Sequence, residues 1–182
     1  MNRERFDELL FLYAADVREG CVVELGTYLG KGSISMAKGA LSGYGAMVYT
    51  IDDYIGRSGC LGGSYSPSDK VRFEENVAEA GVDVTLIHKN HLDAVQDWNE
   101  PIGFLLWDSG DKDNLVRDWQ NWRQHIVVGG KAMLNDTPKG DLGTWLVMRK
   151  LSLRGDFEVE LFDDGVTVLR KCENDMHIVP VK

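Results

Sequence analysis

The chain of 182 residues is long enough for one compact domain with a substantial core and too short for two full ones. Hydrophobic residues make up 43% and charged residues 27%, which excludes an intrinsically disordered chain. Lysines and arginines number 20 against 29 aspartates and glutamates, and the formal charge of -9 argues against a nucleic-acid partner, because basic residues drive phosphate binding.

The opening "MNRERFDELL" carries charges where a signal peptide would need an apolar core. No apolar run approaches the roughly 20 residues that span a bilayer. Cys21, Cys60 and Cys172 stand apart without CxxC spacing, which fits a reducing compartment better than a disulfide framework or a zinc site. The expectation is a cytoplasmic protein with no membrane partner.

Phe6, Leu9, Leu10, Tyr13 and Val17 share one helical face and predict an amphipathic helix over residues 3–18. After Gly20, "CVVEL" reads as a short buried strand, followed by a glycine loop and a helix over 31–41. "AMVYTID" is a second strand. The glycine- and serine-rich stretch over 55–69 is long for a compact domain and reads equally as a lid over a site or as a surface excursion. A helix over 70–80 leads to a third strand, "VDVTLIH". "IGFLLWD" is a fourth, and "DNLVRDWQNWRQHI" is a helix expected to bury Leu115, Val116, Trp119 and Trp122. "GGKAMLND" gives a fifth strand and "DLGTWLVMRKLSL" a further helix. "FEVELFDDGVTVLRK" is a hairpin turned at Asp164-Gly165.

Strands alternating with helices predict a single α/β domain over 1–182, with a parallel sheet covered on both faces and an antiparallel strand at one edge from the closing hairpin. In such a sheet the ligand lies outside the carboxyl ends of the strands, at the topological switch point. That rim holds residues 24–30, Asp52, Asn90, Asp108, Asn135 and Asp136.

Gly26 and Gly30 permit a tight turn and close backbone approach, and the helix that follows offers free N–H groups. A dinucleotide loop reads GxGxxG; here Glu24 precedes G-T-Y-L-G, and a carboxylate suits an amine better than a pyrophosphate. Asp52, ending the second strand, can accept bonds from two ribose hydroxyls. A ligand with a ribose and an amino-acid part is S-adenosylmethionine.

The segments "VVELGTYLGKGS", "VYTIDD", "FLLWDSGDKDN" and "VVGGKAMLNDT" resemble four consecutive motifs of class I S-adenosylmethionine-dependent methyltransferases. The group most resembled is that of small O-methyltransferase-like proteins whose fourth strand ends "DGDH", related to catechol and sugar O-methyltransferases. The resemblance implies a Rossmann-like methyltransferase fold: a mostly parallel seven-stranded sheet with a C-terminal antiparallel hairpin strand and helices on both faces. It implies that Glu24, Gly26, Thr27, Tyr28 and Gly30 surround the methionine part, that Asp52 holds the ribose, and that Asn90 lies beside the adenine. Family members commonly reach a serine two residues after the last loop glycine, whereas here Lys31-Gly32 precede Ser33.

Asp108, Asn135 and Asp136 end adjacent strands, and three oxygen ligands on one rim suit a hard cation such as Mg2+. Asp108 counts with the cofactor-binding set as well. Metal-dependent members of the family place an acid after strand four and an acid or Asp/Asn pair after strand five, and the metal would lower a hydroxyl's pKa. The competing reading has Asp136 capping a turn before Pro138 and Asn135 bonding the backbone. "WDSGDKD" departs from "DGDH" by one extra residue and no histidine, so Asp111 and Lys112 are both candidates for the general base. His91 could face the adenine, though a lone histidine there is more often a packing or hydrogen-bonding residue.

Together these observations imply a methyltransferase that uses S-adenosylmethionine to methylate a hydroxyl of a small-molecule acceptor. The alternative is a protein of this fold that binds the cofactor without transferring methyl groups. A homodimer stays open, with the opening helix as its packing surface.

Overall fold

The computed structural model describes residues 2–55, 66–109, 115–135, 156–163 and 165–173. The Asn2 side chain accepts the Arg5 N–H at 2.9 Å and so starts α1 (Arg3–Ala15), which lays Phe6, Leu10 and Ala14 inward. The elements that follow are β1 (Cys21–Leu25), α2 (Lys31–Ser42), β2 (Val48–Ile51), α3 (Pro67–Ala80), β3 (Thr85–Ile87), α4 (His91–Gln96), β4 (Ile102–Trp107) and α5 (Leu115–Trp122). A 3-10 turn (Arg123–His125) leads into β5 (Ile126–Leu134), and β6 (Phe157–Asp163) and β7 (Val166–Lys171) close the described chain. The predicted helix after the fifth strand lies outside the described residues.

The strands form one sheet in the order β3-β2-β1-β4-β5-β7-β6, with β1 to β5 parallel and β7 antiparallel to both neighbours. The antiparallel strand was expected at an edge, and the structure corrects this: β7 lies inside the sheet and β6 is the edge. Val168 and Leu169 of β7 are fully buried, whereas Glu158, Val159 and Glu160 of β6 are exposed. Charged side chains belong on an edge, where they discourage pairing with another chain.

Helices cover both faces, so β1 reads as a continuous buried run rather than an alternating one. On one face α4 and α5 contribute Ala94, Val95, Trp119 and Trp122; on the other, α1 and α2 contribute Phe6, Leu10, Met36 and Ala40. A Cβ on Gly39 or Gly43 would overlap the carbonyl oxygen of Phe11 or Ala15, so these two glycines let α2 lie directly on the α1 backbone. The Val116 side chain, expected inside, is exposed, because the inward stripe of α5 runs through Asp118, Trp119 and Trp122 instead. Trp98 and Trp107 are buried as well.

Two boundaries differ from the sequence reading for local reasons. Helix α3 begins three residues early, because Ser66 donates its N–H to the Asp69 carboxylate at 2.8 Å and Pro67 fits the first turn. Helix α4 was not anticipated; its six residues are too few to show a period, and Asn90 caps it.

The register aligns Ile87, Ile51, Leu25, Trp107 and Leu134 in one row across five strands. The ladder runs one step further, with Gly26 N–H on Ile51 O (2.9 Å), Asp108 N–H on Leu25 O (2.9 Å) and Asn135 N–H on Trp107 O (3.0 Å). Gly26, Asp108 and Asn135 therefore leave the sheet at a common height. No helix among the described residues is long and apolar enough to cross a membrane.

Candidate functional site

The loop between β1 and α2 is held from three sides. Gly26 has φ 90° and Gly30 φ 84°, both in the left-handed region that L side chains avoid. A Cβ on Gly26 would come within 2.7 Å of the Asp108 carbonyl oxygen, and one on Gly30 within 2.6 Å of the Phe73 ring. The end of β4 and helix α3 thus press on the loop directly. Asn76 of α3 adds a bond to the Leu29 carbonyl at 2.9 Å.

Glu24 lies beneath this loop, on the α2 face of the sheet, and is 1% exposed. Its Oε2 accepts a bond from the Ser33 hydroxyl and another from Thr50 at 2.9 Å. The Thr50 hydroxyl is also bonded to that of Thr27, so a buried chain of hydroxyls links the loop to the acid. A Cβ on Gly32 would overlap the Glu24 carboxylate. This accounts for the Lys31-Gly32-Ser33 departure: glycine leaves room for the acid, and the serine one residue later bonds it. Burial pushes the Glu24 carboxyl up to about 8, opposed by the Ser33 bond, raised further by the charge of Asp108, opposed by Thr50, and raised again by Asp52.

Asp52 organises the rim beside the loop. Its Oδ2 accepts the N–H groups of Thr27 at 2.8 Å and Tyr28 at 3.3 Å, and its Oδ1 accepts that of Tyr54 at 2.8 Å. Tyr28 and Tyr54 both adopt positive φ, 50° and 49°. Such conformations carry strain in non-glycine residues and cluster at functional sites. The buried Tyr54 donates its hydroxyl to the Tyr28 carbonyl at 3.2 Å. Burial, and next the Asp52 charge, push its phenol up, so it stays a donor. Tyr28 itself is 48% exposed above the loop.

Asn90 caps α4 by accepting the Leu92 N–H at 3.0 Å and turns its amide nitrogen to Asp53 Oδ2 at 3.3 Å. The rim behind β2 and that behind β3 are thereby tied. Asn135 donates its amide to Asp108 Oδ1 at 2.7 Å, so two of the three candidate metal ligands are together. Both carry a side-chain oxygen suited to a hard cation, provided the Asn135 amide turns its oxygen inward. The third, Asp136, lies outside the described residues, as do Asp111, Lys112 and positions 56–65 of the stretch over 55–69. Among the described residues no group of three His, Cys, Asp or Glu side chains gathers to hold a metal.

Sequence reasoning missed Thr50, which looks like any β-branched strand residue until the register sets it opposite Glu24. It also missed Asp118, which looks like the polar side of an amphipathic helix yet is 1% exposed and bonded to His91 and Trp107. His91 points to that acid.

Glu24, Asp52 and Asp108 stand at or next to the ends of β1, β2 and β4, and the charges of Asp108 and Asp52 both act on Glu24. The Asp52 and Asp108 carboxylates beside a glycine turn repel a pyrophosphate. They attract a ligand carrying ammonium and sulfonium charges.

A model of the family described as "Methyltransferase domain" matches residues 23–137. The chain is similar to the O-methyltransferase from Bacillus cereus, solved in complex with SAH, at 17% identity over 94% of this chain and 82% of that one, with a TM-score of 0.69. It is also similar to the O-methyltransferase TomG from Streptomyces achromogenes, involved in tomaymycin synthesis and solved with SAM: 18% identity, 94% and 82% coverage, TM-score 0.69. A rRNA methylase from Streptococcus thermophilus shares the fold at 15% identity, over 95% of this chain and 98% of that one, with a TM-score of 0.66.

Proposed function

The chain belongs to the methyltransferase domain family and is a class I S-adenosylmethionine-dependent methyltransferase, and from that premise we propose that it methylates a hydroxyl oxygen of a small molecule. The observation that carries the donor part of this reading is the pair of rim carboxylates, Asp52 and Asp108, beside the Gly26–Gly30 turn, with the buried acid of Glu24 beneath it. The O-methyltransferases from Bacillus cereus and Streptomyces achromogenes support the acceptor part, together with the charge of -9, which disfavours RNA.

When bound, S-adenosylmethionine would supply an electrophilic methyl group, carried on a positively charged sulfur, for transfer to an acceptor oxygen. The chain's own work is to bind and align. Gly26, Thr27, Tyr28 and Gly30 line the methionine side. Asp52 keeps lone pairs for ribose hydroxyls beyond those given to the backbone amides. Asn90 stands on the adenine side, and Glu24, protonated near pH 7 in the free protein, lies beneath the loop and ionises as positive charge arrives above it. Asp108 and Asn135, with Asp136, would hold a divalent cation, which would make the acceptor hydroxyl more acidic. Asp111 or Lys112 would take its proton.

Isothermal titration with S-adenosylhomocysteine tests the donor site. The wild-type protein should bind, and Asp52→Ala, with an unchanged circular dichroism spectrum, should bind about 10- to 100-fold more weakly. No heat from the wild type, or full affinity in the variant, would remove this assignment. Methyl transfer from labelled donor to a panel of phenols, sugars and other hydroxyl compounds tests the acceptor class.

A further inference from the structure

Asp118 breaks the rule of its surroundings. It sits on α5 with Leu25, Leu105, Trp119, Trp122 and Leu134 around it and is 1% exposed. A carboxylate among apolar side chains is costly unless it is paired and hydrogen-bonded, and an apolar residue would pack as well. Its Oδ2 accepts two bonds, from the Trp107 indole N–H at 3.1 Å and from His91 Nδ1 at 3.2 Å. These donors come from two different parts of the rim. His91 is the first residue of α4, directly after Asn90, which reaches Asp53 at 3.3 Å. Trp107 is the last residue of β4, directly before Asp108.

We propose that Asp118 is a positioning residue of the donor site. By clasping His91 to Trp107 it holds the wall behind β3 and the wall behind β4 at a fixed separation, so that the nucleoside end of S-adenosylmethionine meets a preformed slot. The inference rests on the donor reading above. It acts through acceptor geometry: a single oxygen takes both donors, so an isosteric amide oxygen can replace it, whereas an alkyl group cannot. Preorganised walls lower the ordering cost of binding, so the loss shows as affinity rather than as a lost contact.

The test compares Asp118→Asn, Asp118→Leu and His91→Leu for S-adenosylhomocysteine affinity by titration calorimetry and for melting temperature. Asp118→Asn should bind within about threefold of wild type. Asp118→Leu should bind at least about tenfold more weakly, a loss beyond what its fall in melting temperature explains, because the leucine suits its apolar neighbours while the Trp107 and His91 N–H groups lose their acceptor. His91→Leu breaks the clasp from its more exposed side and should reproduce the loss, which keeps the test decisive even where Asp118→Leu fails to fold. A merely structural role would move affinity and melting temperature together. Folded Asp118→Leu or His91→Leu protein binding within twofold of wild type overturns the inference alone. Absence of binding in the wild type overturns the donor reading and this inference with it.

Discussion

Glu24 was visible in the sequence as an acid closing an apolar run, but its partners were not. Ser33 lies nine residues on and Thr50 twenty-six, and only the β1–β2 register and the first turn of α2 bring them to one carboxylate. Its environment has a measurable consequence. The carboxyl is raised to about 8 by burial first, so between its ordinary value and 8 the folded chain holds a proton that the unfolded chain releases. Stability is therefore lost as pH rises through that window, by on the order of a few kcal/mol. Glu24→Gln keeps an acceptor for Ser33 and Thr50 and removes the titration. Its melting temperature should match wild type near pH 5 and exceed it near pH 8.5; equal shifts at both values would contradict the assignment. Positive charge arriving above the loop favours ionised Glu24, so donor binding near pH 7 should release protons. Calorimetry in buffers of different ionisation enthalpy should find more release with S-adenosylmethionine than with the neutral-sulfur product, and no buffer dependence would count against it.

At the scale of elements, long periodic segments were legible and short ones were not. Helices α1 and α2 and strands β1 and β4 show their type through runs of apolar residues, whereas α4 depends on one cap at Asn90. The hairpin turn at Gly165, with φ 89°, was legible from Asp164-Gly165, yet a turn reports only that two strands pair and not which of them meets a third. The contact between α1 and α2 was also hidden, since Gly39 looks like an ordinary helix glycine and Gly43 like an ordinary helix stop. A methyl group at Gly39 would meet the Phe11 carbonyl, so Gly39→Ala should destabilise by about 1–3 kcal/mol despite alanine's better helix propensity. Urea denaturation with an unchanged slope would show it, and a stabilised variant would mean the helices sit further apart.

For the molecule as a whole, four short segments in the right order were enough to indicate both fold and donor, because the parallel register brings the ends of β1 to β5 to one rim. The acceptor was not legible, since that chemistry belongs to loops whose sequence carries no period. Removing divalent cations separates the two halves of the site. Chelation should leave S-adenosylhomocysteine affinity within about twofold and, if Asp108 and Asn135 hold a metal, lower methyl transfer at least about tenfold. Unchanged transfer would assign these side chains to bonding one another and the backbone.

The placing of β7 also governs the order of assembly. It is synthesised after β6 yet lies between β5 and β6, so β6 joins the sheet only through β7, with Ala132 and Met133 meeting Leu169 and Val168. Until the chain has been made through Lys171, β5 presents an open, apolar flank to any passing strand. The donor rim stands on β1, β2 and β4, so a nascent chain can assemble its binding loop before its sheet is sealed, and ligand captured at that stage would stabilise the unfinished fold.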